Sequence, residues 1–112
     1  MWNNDNLVEY KFNQWQIDMN FHYIKTDKCI YVGQINQDQQ KHGKGNQFDQ
    51  FENLIYSGDW EWDLPEGFGI KYWENGYKLY EGQWEDGNWN GAGSKFDCNG
   101  ILVIKGKWCD GK

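Results

Sequence analysis

A short pattern, Tyr-x-Gly-x-Trp, recurs along the chain at an almost constant interval. It is complete from Tyr56 and from Tyr80, and weaker forms begin at Tyr31 and Ile104, so that successive starts lie 25, 24 and 24 residues apart. A Gly-x-Gly follows each of the first three starts, and an aromatic residue stands three positions after its second glycine. A fixed period of this length is typical of supersecondary units that stack on one another. The sequence therefore predicts a repeat array.

The array has four units, which we place at 31–55, 56–79, 80–103 and, as a partial unit, 104–112. Residues 1–30 contain no glycine, whereas all fourteen glycines lie further along, so this segment is predicted to be an N-terminal cap or a degenerate repeat. The repeat positions predicted to form the core are Tyr31, Gly33, Gly43, Gly45, Phe48, Tyr56, Gly58, Trp60, Gly67, Gly69, Tyr72, Tyr80, Gly82, Trp84, Gly91, Gly93, Phe96, Gly106 and Trp108.

The pattern resembles the MORN repeat. The resemblance is carried by YEGQWEDGNWNGAGSKF, which begins at Tyr80, and by KHGKG, which begins at Lys41, and it covers residues 31–112. Ile35 departs from it by replacing Trp, and WDLPEG, which follows Glu61, departs from it by lacking the turn glycine. The resemblance implies an array of β-hairpins without catalytic activity, and association with cytoskeletal or ciliary assemblies.

Alternation along each unit indicates strands. Tyr56, Gly58 and Trp60 alternate with polar residues, and a period of two with one apolar face is typical of a half-buried strand. Asp-Gly and Asn-Gly dipeptides favour tight turns between such strands. We therefore predict an all-β fold, an elongated single-layer antiparallel meander of hairpins, capped by a degenerate hairpin of residues 7–12 and 21–24. Pairing of Trp60 with Gly67 or with Phe68 satisfies the alternation equally.

The composition indicates an ordered chain with an aromatic core. Eight Trp, seven Tyr and six Phe are present beside a single Ala, and each ring buries about 150–250 Å² when packed. The net charge of −6, without any Arg, weighs against nucleic-acid binding and against direct membrane binding. Three cysteines without Cys-x-x-Cys spacing, and no long apolar run, favour a cytoplasmic chain with free thiols.

Residues that could carry chemistry are sparse. The only histidines are His22 and His42, neither at ligand spacing from a cysteine, so no metal site is predicted. Two Ser and one Thr leave almost nothing from which to build a nucleophilic triad. Asp59 and Glu61 fall on the polar strand face, where solvation explains them better than a pair of catalytic carboxylates. We therefore predict no catalytic residues, no cofactor and no enzymatic activity.

Four aromatic residues, Trp62, Trp73, Tyr77 and Trp89, stand outside the repeat's core positions. Trp and Tyr are enriched at the energetic centres of protein interfaces, so these four are the predicted partner-binding residues. Trp62 and Trp89 fall in segments of similar repeat phase, which predicts two exposed rings at one edge of the sheet.

The sequence thus favours a non-catalytic scaffold for protein–protein interaction, whose partner is another protein in a larger assembly or a second copy of the chain in a homodimer. Three alternatives stay open at this stage. They are a regulatory or accessory module of an enzyme complex, a phospholipid-binding module, and a carbohydrate site on an aromatic platform.

Overall fold

The computed structural model describes residues 21–112, which form one open sheet of eight strands in the order of the sequence. The strands are β1 (His22–Lys25), β2 (Cys29–Ile35), β3 (Lys41–Asp49), β4 (Leu54–Glu61), β5 (Leu64–Tyr72), β6 (Lys78–Glu85), β7 (Asn88–Phe96) and β8 (Leu102–Trp108). Each strand pairs antiparallel with the next, and residues 21–112 contain no helix. The predicted all-β meander is confirmed. Of the predicted capping hairpin, residues 7–12 lie outside the described residues, and residues 22–24 belong to β1.

Two-residue turns set the register of the hairpins. Trp62 and Asp63 join β4 to β5, so Glu61 pairs with Leu64 and Trp60 with Pro65. Both predicted partners of Trp60 were therefore wrong. Between the Gly58–Gly69 pair and the Trp60–Pro65 pair, β5 has two more residues than β4, and an irregularity between Gly58 and Trp60 takes up this surplus.

These turns have a backbone conformation that favours glycine at both positions. The φ angles are +54° and +68° at Trp62 and Asp63, and +51° and +85° at Asp86 and Gly87. Two consecutive positive φ angles define the turn that matches the twist of a β-hairpin. The predicted Asp-Gly turn is present, and the turn without glycine adopts the same conformation.

The hairpin turns are tied to one another by a recurring backbone hydrogen bond. The second residue of each turn donates its N–H to a carbonyl 22 residues earlier, from Asp63 to Lys41 at 3.0 Å and from Gly87 to Pro65 at 3.0 Å. Gly111 does the same to Trp89 at 2.7 Å. The turns therefore stack along one edge of the sheet with the spacing of the repeat.

The repeat tyrosines explain the repeat glycines. Tyr56 lies along its own strand and donates its hydroxyl to the carbonyl oxygen of Asp59 at 2.9 Å. Its ring covers the cross-strand pair of Gly58 and Gly69, and a Cβ on Gly69 would lie 2.0 Å from the Tyr56 hydroxyl oxygen. Tyr31 and Tyr80 repeat the arrangement, with hydroxyl bonds of 2.7 and 2.8 Å. The second glycine of each Gly-x-Gly is thus required by the ring above it.

The repeat tryptophans join successive units. The indole N–H of Trp84 donates to the carbonyl oxygen of Gly69 at 3.0 Å, and the ring meets Tyr56 and Tyr80 edge-on, with centroids 5.2 and 5.3 Å apart. Trp60 makes the equivalent contacts to Gly45, Tyr31 and Tyr56, and Trp108 bonds to Gly93. Tyrosine and tryptophan therefore alternate along one face, which we call the aromatic face, and their ladder forms the core cluster. Ile30 and Val32 of β2 are buried as well.

The aromatic face yields a stability prediction from one cross-strand pair, Gly93 and Gly106. A Cβ on Gly93 would lie 2.1 Å from the Tyr80 hydroxyl oxygen, whereas a Cβ on Gly106 would have nothing within 4 Å. Ile104 replaces the tyrosine there, and no further strand of the described sheet lies beyond β8. We expect Gly93→Ala to lower the free energy of unfolding by about 1–3 kcal/mol. Gly106→Ala is the matched control and should be neutral or stabilise by about 0.5–1 kcal/mol. Urea unfolding measures both, and equal losses would contradict this account of the glycines.

Burial raises the pKa of the phenols of Tyr31, Tyr56 and Tyr80 above the ordinary value. The charge of Asp63 adds to the rise at Tyr31. Unfolded tyrosines release their protons near about pH 10, so above that pH the unfolded chain binds fewer protons than the folded chain. The contribution of these three phenols to the free energy of unfolding is therefore fully present below about pH 10 and is lost as the pH rises further.

We expect the free energy of unfolding to fall by up to about 1.4 kcal/mol per pH unit for each buried tyrosine. Urea unfolding between pH 8 and pH 11, with phenolate absorbance at 295 nm, measures this. Tyr80→Phe should reduce the slope. Tyr77→Phe is the control, because that ring is 53% exposed, and an identical slope in both variants would show that burial of Tyr80 is not the cause.

Candidate interaction surfaces

The described residues contain neither a cluster of metal-binding side chains nor a membrane-spanning helix. Within residues 21–112, no three His, Cys, Asp or Glu side chains are placed to hold a metal ion. The same residues include no helix that could cross a bilayer. Cys29, Cys98 and Cys109 are free thiols.

Three of the four predicted partner-binding aromatics lie in connections between strands. Trp62 and Tyr77 are 58% and 53% exposed. Trp62 lies in the β4–β5 turn, and Tyr77 in the β5–β6 connection at the opposite edge. Trp73 is half-buried, and its indole N–H donates to the carbonyl oxygen of Phe96 at 3.2 Å, which ties one inter-unit connection to the next. The structure therefore does not gather the four residues into one surface.

The expected exposed position of Trp89 is wrong. Trp89 is the second residue of β7, where it pairs with Trp84, and its ring stacks on Tyr80 with centroids 4.5 Å apart and planes 3° apart. Trp89 is therefore half-buried and packs against the core cluster. The position of Trp89 in the repeat indicated this packing, because its equivalent in the first unit is Lys41. The Lys41 ammonium likewise lies over the rings of Tyr31 and Trp60, at 5.5 and 5.6 Å from their centroids.

Trp62 is an exposed ring on a strained backbone. Its φ of +54° is uncommon for a bulky residue, and the equivalent positions in the later turns are Asp86 and Asp110. Its ring leans on His42 at 5.6 Å between centroids. Leu64, two residues on at the start of β5, is a second exposed apolar residue at 44%. Backbone strain at an exposed residue favours a functional reason for that residue.

A second apolar surface runs along the last strand of the described sheet. The four consecutive residues from Ile101 to Ile104 are between 50% and 62% exposed. Ile104 occupies the repeat position of the buried tyrosines. Because it lacks their length and hydroxyl, it leaves the backbone of Gly106 uncovered.

The face of the sheet opposite the aromatic ladder, which we call the polar face, changes character along the array. Near its start, Lys44 pairs with Asp59 across β3 and β4 at 2.7 Å. Across β5 to β8 the polar face instead forms a shallow groove of about 460 Å³ that runs from Phe68 to Lys105 and Lys107. These three groove residues were not among the residues predicted from the sequence. The two lysines carried a partial signal, since Lys105 and Lys107 stand where other units have Glu81 and Asp59. Phe68 carried none, because the equivalent positions hold a lysine and an alanine.

Comparison with known proteins adds no relative. No protein-family model matches the chain, and no curated protein matches it significantly.

The strained turn leads to a further stability prediction. Trp62→Asp places at this position the residue found in the equivalent turns, which tolerates positive φ better than Trp does. We expect the free energy of unfolding to rise by about 1 kcal/mol after the loss of the His42 contact is included. The reverse change, Asp86→Trp, should lower it by a similar amount. Urea unfolding measures both, and a Trp62→Asp variant less stable than the wild type would mean that the Trp62 ring supports the fold.

Proposed function

We propose that this chain is a non-catalytic scaffold that binds other proteins through the surfaces its single-layer sheet leaves exposed. The observation that carries the proposal is Trp62, which is 58% exposed on a turn whose backbone disfavours it. Exposed tryptophans beside other apolar side chains are typical of protein interfaces. Leu64 supplies such a neighbour.

The construction of the core supports the same proposal. The buried hydrophobic side chains of the core cluster are three tyrosines and two tryptophans of the repeat, and hydroxyl and indole groups of these rings are satisfied by backbone carbonyls. These groups hold the sheet together and are not free to take part in chemistry. What the sheet presents to other molecules is its edges, its turns and its polar face.

The resemblance to MORN arrays narrows the proposal to a structural subunit of a cytoskeletal or ciliary assembly in the cytoplasm. The net charge of the chain, −6, favours a protein partner over an anionic membrane surface, because like charges repel at long range.

Affinity capture from a lysate of the source cells tests this function. We expect the tagged wild-type chain to recover specific protein partners and Trp62→Asp to recover at least tenfold less of those that bind at the turn. Phe51→Ser is the matched control, because Phe51 is 73% exposed in the β3–β4 connection, at the other edge of the sheet. Equal recovery by the wild type and Trp62→Asp would exclude the turn as the binding surface. Flotation with vesicles but no protein recovery would contradict the scaffold function itself.

A further inference from the structure

We infer that the groove on the polar face of β5–β8 binds an extended acidic segment of a partner protein, with carboxylates at Lys105 and Lys107 and an apolar side chain at Phe68. The inference rests on the proposed scaffold function and names the chemistry of one partner. It concerns a different surface from the turn that carries Trp62.

Comparison of the repeat units shows that a lysine in this groove has no carboxylate partner across the strands. Three cross-strand pairs on the polar face are equivalent by the repeat. The first is Lys44 with Asp59 between β3 and β4, and the second is Phe68 with Gln83 between β5 and β6. The third is Ala92 with Lys107 between β7 and β8. The first pair is a salt bridge of 2.7 Å. In the last pair the lysine faces an alanine, so the same architecture leaves a positive charge without its carboxylate.

The neighbouring row of the polar face adds a second uncompensated charge. Lys105 pairs across the strands with Ser94, and in the described range 21–112 none of the three salt bridges involves Lys105 or Lys107. The one carboxylate that lines the groove, Glu81, already accepts a hydrogen bond from the ammonium of Lys78 at 2.8 Å. Two lysines on the same face of one strand therefore lie about 7 Å apart with no fixed anion.

The remainder of the groove is open to close approach. Beside the exposed side chain of Gln83, small residues make up half of its lining, namely Gly82, Ala92, Gly93, Ser94 and Gly106. Phe68 stands at the far wall and is 45% exposed. A lining of small residues admits a backbone at short range, and an exposed ring at its end provides an apolar contact.

The spacing of the strands sets the length of the ligand. Phe68 on β5 and the lysines on β8 are separated by three strand-to-strand steps, which is about 14 Å at about 4.8 Å each. An extended chain covers this distance in about four residues at about 3.3 Å each. The expected segment therefore carries an acidic pair and, about four residues from it, an aromatic or large aliphatic residue.

A short peptide fits this surface better than an anionic bilayer does. The chain as a whole carries −6, which repels a large anionic surface, whereas a bound peptide lies within a Debye length of about 8 Å of the two lysines and is governed by them. The groove also supplies an apolar contact at one end and positive charge at the other, a polarity that matches a directional peptide.

Fluorescence anisotropy with the full chain tests the inference. The probe is a fluorescein-labelled synthetic peptide, Glu-Glu-Ser-Gly-Ser-Phe, beside versions with Lys for both Glu or Ser for Phe. We expect saturable binding that weakens at least tenfold in Lys105→Glu/Lys107→Glu and at least threefold in Phe68→Ser. The matched controls are Lys25→Glu/Lys28→Glu, which changes the net charge equally in and beside β1, and Phe51→Ser. Both should bind within twofold of the wild type.

The neutral variant Lys105→Gln/Lys107→Gln keeps the test decisive if charge reversal disturbs the fold, and far-UV circular dichroism checks all variants. Undiminished affinity in the neutral variant, or equal binding of the Lys-substituted peptide, would overturn the inference. Binding of phosphatidylserine vesicles without binding of the peptide would also overturn it. Partner capture that depends on Trp62 would then leave the scaffold function standing, whereas loss of protein capture in the wild type would remove both.

Discussion

The fold depends on one arrangement, a tyrosine ring laid along its own strand over a cross-strand pair of glycines. The hydroxyl of Tyr56 reaches the carbonyl oxygen of Asp59, which is possible because neither Gly58 nor Gly69 has a side chain in the path. The ring then presents its edges to a tryptophan on each side. Without the glycine pair there is no place for the tyrosine, and without the tyrosine successive units have no common core.

This arrangement places the aromatic ladder on one face of the sheet and leaves most of the opposite face, beyond the buried Ile30 and Val32 of β2, outside the core. The cross-strand pair of Lys44 and Asp59 is an ion pair, while the repeat-equivalent pair of Ala92 and Lys107 is not, yet β3–β4 and β7–β8 keep the same register. Because the strands keep the same register without this ion pair, the polar face tolerates changes of charge at these positions. Variation on that face is therefore available for recognition, and the groove beside Lys107 is where it departs furthest from the start of the array.

The candidate surfaces were only partly predictable. Trp62 stood out as an aromatic residue outside the repeat core, and its exposure followed from its place in a turn. Trp89 has a sequence context similar to that of Trp62 but stacks on Tyr80. The difference arises because a two-residue turn brings Trp89 into β7 rather than leaving it in a loop. The groove was missed since Phe68, Lys105 and Lys107 come from three units' worth of sequence, and only the pairing of four consecutive strands brings them to one face.

The sequence by itself determined the class of the fold and the length of the repeat, because these follow from local alternation, from turn dipeptides and from a period of 24 or 25 residues. The core rings followed only in part. The tyrosines and tryptophans of the core cluster are buried, whereas three other predicted core rings are half-buried and lie outside it, namely Phe48, Tyr72 and Phe96. The sequence did not determine the register. Trp60 pairs with Pro65 and Trp84 with Trp89 because each tight turn fixes one hairpin end while the glycine pair under the tyrosine fixes the middle, and an irregularity between the two takes up the difference. Only the tertiary structure decides such a balance, since it depends on how a ring from one strand fits over the backbone of the next.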